Sequence, residues 1–121
     1  MGMHGLRVLV CGGRDYDDLG AVWGQLDAFH ALKGPITAVI HGGARGADLL
    51  AAQWAIRSEV PHIEFKAAWG TYGTAAGPLR NKRMLDEGKP DLVIAFPGGR
   101  GTANMVRQAR AADVEVIRPY D

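Results

Sequence analysis

Short runs of aliphatic and β-branched residues end abruptly in glycine pairs, and helical patterns follow them. The runs are Leu6–Cys11, Ile36–His41, His62–Lys66, Asp91–Phe96 and Val114–Arg118. Several are apolar on successive residues rather than on alternate ones, which predicts strands covered on both faces, as in a parallel sheet. Between them Leu19, Val22, Trp23, Leu26 and Phe29 recur at helical spacing, as do Ala47, Leu50, Ala51 and Trp54. Two more helices are predicted over Leu79–Glu87 and Ala103–Ala112, with Pro78 suited to the first position of the former and Gly88 to its stop. Strands and helices in this alternation make an α/β domain with a five-stranded parallel sheet and right-handed crossovers. Residues 1–121 are read as one domain, with no repeat or linker.

Seventeen of the 121 residues are glycine, about twice the usual ~7%. They cluster directly after the apolar runs, so they belong to turns of an ordered fold and not to a low-complexity tail. Net charge is +1, too balanced for bulk nucleic-acid binding through a charged surface, so nucleic acid is not the expected partner. The single cysteine, Cys11, ends an apolar run and is expected to be a buried, inert thiol. No segment is apolar enough over enough length to span a bilayer, and no signal-peptide pattern opens the chain, so a cytoplasmic setting is expected.

In a parallel sheet, ligands bind outside the carboxyl ends of the strands. The loops there read CGGRDYDD, HGGARGAD, AAWGTYGTAAG continuing into PLRNKRM, and PGGRGT. Three of the four combine paired glycines with arginine: Gly12, Gly13 and Arg14; Gly42, Gly43, Arg45 and Gly46; and, after Pro97, Gly98, Gly99, Arg100, Gly101 and Thr102. The third loop leads instead to Arg80 and Asn81, one helical turn ahead of the apolar Met84 and Leu85. Glycine lets the backbone approach a ligand closely. Helix amino termini offer free N–H groups and a partial positive charge. Arginine adds a planar fork that matches phosphate. The convergence predicts an anionic, phosphate-bearing ligand.

Among the acids, Asp17 or Asp18 reads as a helix cap. Asp15 is free to meet a ribose hydroxyl. Asp48, in the first turn of its helix, is explained equally by the helix dipole and by a place in the site. Lys82 and Arg83 read as solvated. Trp69 and Tyr72 lie in a glycine-rich third loop that could move as a lid, and an aromatic there could stack on a base; Trp23 and Trp54 read as core. His41 ends a strand beside the site. His4, His30 and His62 have no ligand pattern around them, so no metal site and no cofactor are expected. No G-x-x-x-x-G-K-[ST] occurs, and GRGTAN has Asn104 where the dinucleotide fingerprint takes a third glycine.

On these residues a resemblance rests. PGGRGT after a strand resembles the PGGxGT motif of the SLOG superfamily, which includes the LOG cytokinin-activating phosphoribohydrolases and the DNA-processing protein A family. HGGARGADLLAAQWA is similar to that group's second glycine motif, and the order of the four segments resembles the small stand-alone YspA/YpsA-related branch. The resemblance implies a Rossmann-like three-layer α/β/α fold, a nucleotide or nucleotide-derived ligand and a homodimer. In LOG enzymes the motif continues to PGGxGTxxE, and an arginine precedes a methionine by four residues. Arg80 and Met84 keep the second pattern, but Met105 occupies the glutamate position. A thioether can neither stabilise an oxocarbenium-like state nor activate water. Three readings follow: a nucleotide-ligand binding domain acting as a sensor; a phosphoribohydrolase with a relocated carboxylate, for which Asp15, Asp48 and Arg80 are the catalytic candidates; and a single-stranded DNA-binding module.

Overall fold

The alternating pattern is realised as β1 (Leu6–Cys11), α1 (Leu19–Leu32), β2 (Ile36–His41), α2 (Ala47–Arg57), β3 (His62–Glu64), α3 (Trp69–Tyr72), a 3-10 turn (Gly73–Ala75), α4 (Ala76–Asp86), β4 (Leu92–Ala95), α5 (Arg100–Ala111) and β5 (Glu115–Ile117). The structure, a computed structural model, describes residues 5–120. His4 therefore lies outside the described residues.

The five strands are parallel and ordered β3-β2-β1-β4-β5. Successive side chains of a strand point to opposite faces, and the two cores divide accordingly. Val8, Val10, Leu92, Ile94 and Phe96 face α1 and α2, where Val22, Leu26, Ala51 and Trp54 close the layer. Leu9, Cys11, Val93 and Ala95 face α4 and α5, where Met84, Met105, Val106 and Ala109 close the other. This is a Rossmann-like three-layer α/β/α fold. From Val8 onward β1, and all of β4, read as continuous apolar runs because both their faces are covered.

The edges differ from the sequence expectation. β3 and β5 are shorter than the runs 62–66 and 114–118 and partly exposed, because each pairs on one side only. α4 begins at Ala76 rather than Leu79, so Pro78 falls inside the first turn, where its missing N–H has no intrahelical partner to lose. α5 begins at Arg100 rather than Ala103, so the glycine loop runs straight into the helix. Asp18 caps α1 by accepting from the Ala21 N–H at 2.9 Å. Trp54 is buried and donates Nε1–H to Asp27 at 2.8 Å, whereas Trp23 is only partly buried, donates to the Leu50 carbonyl and lies under Arg57.

The chain moves outward from β1 to β2 and β3, then returns to the other side of β1 for β4 and β5. At that reversal the loops leaving β1 and β4 diverge to opposite faces, and a crevice opens above their carboxyl ends.

Candidate functional site: a cationic cleft at the strand ends

Gly13 ties the loops of this crevice together. Its N–H donates to the Pro97 carbonyl at 2.8 Å, joining the loops after β1 and β4. Its own carbonyl accepts from Tyr16 at 3.2 Å and from Ala47, the first residue of α2, at 3.4 Å. The loop after β2 is held from within. Asp48, only 6% exposed, turns its carboxylate back to accept from the Gly42 N–H at 2.9 Å and the Ala44 N–H at 3.4 Å. From α4, Arg80 donates to the Gly42 carbonyl at 2.9 Å and, through Nε, to Asn81 Oδ1 at 3.0 Å. Asn81 donates onward to the Gly101 carbonyl and to Asn104 Oδ1. The half-buried Arg80 and the buried Asn81 thus find protein partners that brace the glycine loops.

Above this framework lies a cleft of about 1240 Å³, ample for a nucleotide. Six cationic side chains (Arg14, Arg45, Lys66, Arg80, Arg100 and Arg107) line it against two carboxylates, Asp48 and Glu64. Trp69 and Thr74 of the third loop form part of the wall, and Arg14 sits over the Trp69 ring at 5.8 Å. Tyr72 is exposed and outside the lining.

The structure brings Gly12, Gly13, Arg14, Gly42, Gly43, Arg45, Asp48, Arg80, Asn81, Gly99, Arg100, Gly101 and Thr102 to this one cleft. It separates the others. Asp15 is not in the lining: its side chain is 94% exposed and pairs with the exposed Arg45 at 3.3 Å, a contact worth little. Gly46 lies beneath the lining, against the Gly13 carbonyl. Pro97 and Gly98 face a second, smaller cavity. His41 does not line the cleft either: it is buried, its Nδ1 accepts from the Gly43 N–H at 3.1 Å, and its Nε2 lies 3.0 Å from His62 Nδ1. Burial and the neighbouring His62 push its pKa below the usual histidine range. Lys82 and Arg83 pair with Asp86 and Glu87 on the helix surface.

Glu64, Lys66, Asn104 and Arg107 join the lining unforeseen. The first two lie at and just beyond the carboxyl end of β3, the same position in the sheet from which the glycine loops leave β1, β2 and β4. The last two follow Gly101 at helical spacing of three and six residues.

The family model of the YspA, cpYpsA-related SLOG family matches residues 6–72, more than half of the chain. The chain belongs to this family. Consistent with that membership, it is 41% identical over 120 residues to the Gene 61 protein of Mycobacterium phage D29, with 92% of this chain and 94% of that protein covered. Its fold is similar to that of DNA processing protein A (DprA) from Streptococcus pneumoniae, with a TM-score of 0.51 and 16% identity. That match takes in 93% of this chain but spans only 58% of the DprA chain.

Within this SLOG domain, Met105 is 0% exposed and belongs to the apolar cluster of Leu9, Met84 and Val93. The position points at the sheet and not into the cleft, so an unpartnered carboxylate there would be buried among aliphatic groups at high cost. Of the two acids lining the SLOG cleft, Asp48 is the buried one. Burial pushes its pKa up to about 6, against the pull of the Gly42 and Ala44 N–H groups and of Arg80 and Arg14. Burial likewise pushes the Cys11 thiol up to about 12, with the Asp48 charge adding to it, so Cys11 stays protonated and is no nucleophile.

A carboxyl near 6 when folded and near 3.8 when unfolded takes up its proton earlier in the folded state. Its contribution to stability therefore rises as pH falls from about 6 to about 4, by up to about 3 kcal/mol. Asp48→Asn keeps an oxygen for the loop N–H groups and cannot ionise. Urea unfolding of both proteins between pH 4 and 7 should show wild type losing stability relative to the variant as pH rises. A flat difference would refute the burial account.

Proposed function

We propose that the chain binds a nucleotide or nucleotide-derived ligand, a nucleoside phosphate or an NAD- or ADP-ribose-like molecule, in the cleft at the strand ends, and serves as a sensor of it. Family membership supports nucleotide-related binding in general. The observation that carries the finer reading is the excess of six cations over two carboxylates around a cleft into which the amino terminus of α5 opens. A cytoplasmic, homodimeric protein is part of the same reading, supported by the lone cysteine and by Leu49 and Ile56, exposed seven residues apart on α2.

Arg100 and Gly99 supply the test. Arg100 is exposed at the start of α5, and a Cβ on Gly99 would meet nothing within 4 Å. Neither is needed by the fold, so a ligand's approach is what they serve. In calorimetric titrations with AMP, CMP and NAD, Arg100→Ala should weaken binding about tenfold or more, the worth of one charge-assisted bond. Gly99→Val should do the same by obstruction, and both variants should melt with wild type. Equal affinity in all three proteins would reject the site.

Asp48 favours a second reading, phosphoribohydrolase chemistry, because a cleft carboxyl near 6 can trade a proton at neutral pH. Release of free base from AMP or CMP, lost in Asp48→Asn, would establish it. Saturable binding without release would retain the sensor. Single-stranded DNA, the third reading, would reveal itself by oligonucleotide affinity that falls steeply with salt.

A further inference from the structure

The smaller cavity, about 220 Å³, lies on the other flank of the Pro97–Gly99 segment. Its walls are the end of β4, one face of α5 and the residues following β5. Three arginines line it. Arg107 and Arg110 stand one turn apart on the α5 face that also carries Ala103 and Val106, and Arg118 comes in directly after β5. Tyr120 adds a phenol, and among the described residues no carboxylate is in the lining. Among the described residues, neither Arg107 nor Arg110 has a carboxylate within 4.0 Å.

The Arg107 and Arg110 guanidiniums, side by side at the recess, repel one another unless an anion lies between them. The volume is below that of a nucleotide pocket and suits a single phosphate-sized group. The cavity also shares Gly99, Thr102 and Arg107 with the large cleft, so only the first turns of α5 separate the two.

We propose that this cavity is a second anion subsite, which takes a phosphate group: the terminal phosphate of a nucleotide whose first phosphate lies on the cleft side of the 98–102 loop. The ligand class narrows to nucleotides carrying at least two phosphates. This placement rests on the nucleotide reading of the cleft; the affinity of the subsite for phosphate itself does not.

Arg110 and Arg118 line only the small cavity, and Arg14, Arg45 and Arg100 only the large one. NMR titrations of the arginine Nε–H signals with inorganic phosphate, AMP and ADP at matched ionic strength therefore separate the two. Phosphate and ADP should shift Arg110 and Arg118 saturably, and AMP should not. Arg110→Gln, at an exposed position, should weaken ADP about tenfold and leave AMP affinity and the melting temperature unchanged. A response to phosphate without one to ADP would assign the subsite to free phosphate. It would also hold if no nucleotide bound at all, in which case the cleft reading alone would fall. Equal shifts of Arg110 with AMP and ADP, or silence of Arg110 toward phosphate and ADP while Arg100-dependent AMP binding persists, would overturn the subsite.

Discussion

Gly46→Ala should lower the melting temperature by on the order of 10 °C, although it adds only one methyl group. Gly46 precedes α2 with φ of 82° and ψ of −133°, a region that side chains other than hydrogen rarely occupy. A Cβ there would run into the carbonyl oxygens of Gly13 and Arg14. These are backbone atoms of another loop and cannot rotate away as a side chain would. The conformation alone costs about 1–3 kcal/mol, and relieving the overlap requires α2 to withdraw from the loop after β1. That withdrawal breaks the Ala47 N–H contact to Gly13, and with it the junction from which the cleft is built. Thermal unfolding followed by circular dichroism gives the answer. Gly101→Ala is the control, since a Cβ there meets nothing within 4 Å, and it should melt at or slightly above wild type. A Gly46→Ala protein that melted within 2 °C of wild type would show that the loop yields.

The contrast between Gly46 and Gly101 also marks what could be read from the chain. Paired glycines after apolar runs were enough to locate the strand ends, because a parallel sheet turns there and because β1 and β4 are apolar on both faces. Which glycine serves the fold and which leaves room for a ligand was not legible, since it depends on contacts between loops that are distant in sequence. Gly46 and Gly99 look alike in the chain, yet one is pressed against Gly13 and the other faces open space. Asp48 was ambiguous for the same reason: its partners are N–H groups of its own loop, and its raised pKa comes from burial in the folded chain. Met105 was legible as a departure from the PGGxGTxxE pattern, but its place in the apolar cluster under α5 required the helix to begin at Arg100.

Arg80→Ala should be the most damaging change to the cleft, and through structure before binding. Arg80 holds the Gly42 carbonyl, pairs with Asn81, and supplies positive charge that restrains the pKa of the buried Asp48. Burial lowers the pKa of Arg80 itself, and Asp48 raises it, so each steadies the charge of the other. Truncation leaves the carbonyl without its charged donor and Asp48 without its nearest compensation from α4, a loss of about 2–3 kcal/mol, or on the order of 10 °C in melting temperature. The pH dependence carries a sharper signature. With the guanidinium gone, the Asp48 pKa should rise above its present value of about 6. The fall in stability with rising pH should then extend further toward neutrality than in wild type. Arg80→Lys should restore much of that electrostatic effect, because an ammonium supplies the charge, while the Nε bond to Asn81 and the fork toward Gly42 are lost. Stability of the three proteins between pH 4 and 8 separates charge from geometry. If Arg80→Ala matched wild type in both melting temperature and pH profile, Arg80 would be a side chain held in reserve for the ligand rather than the brace on which the β2 loop depends.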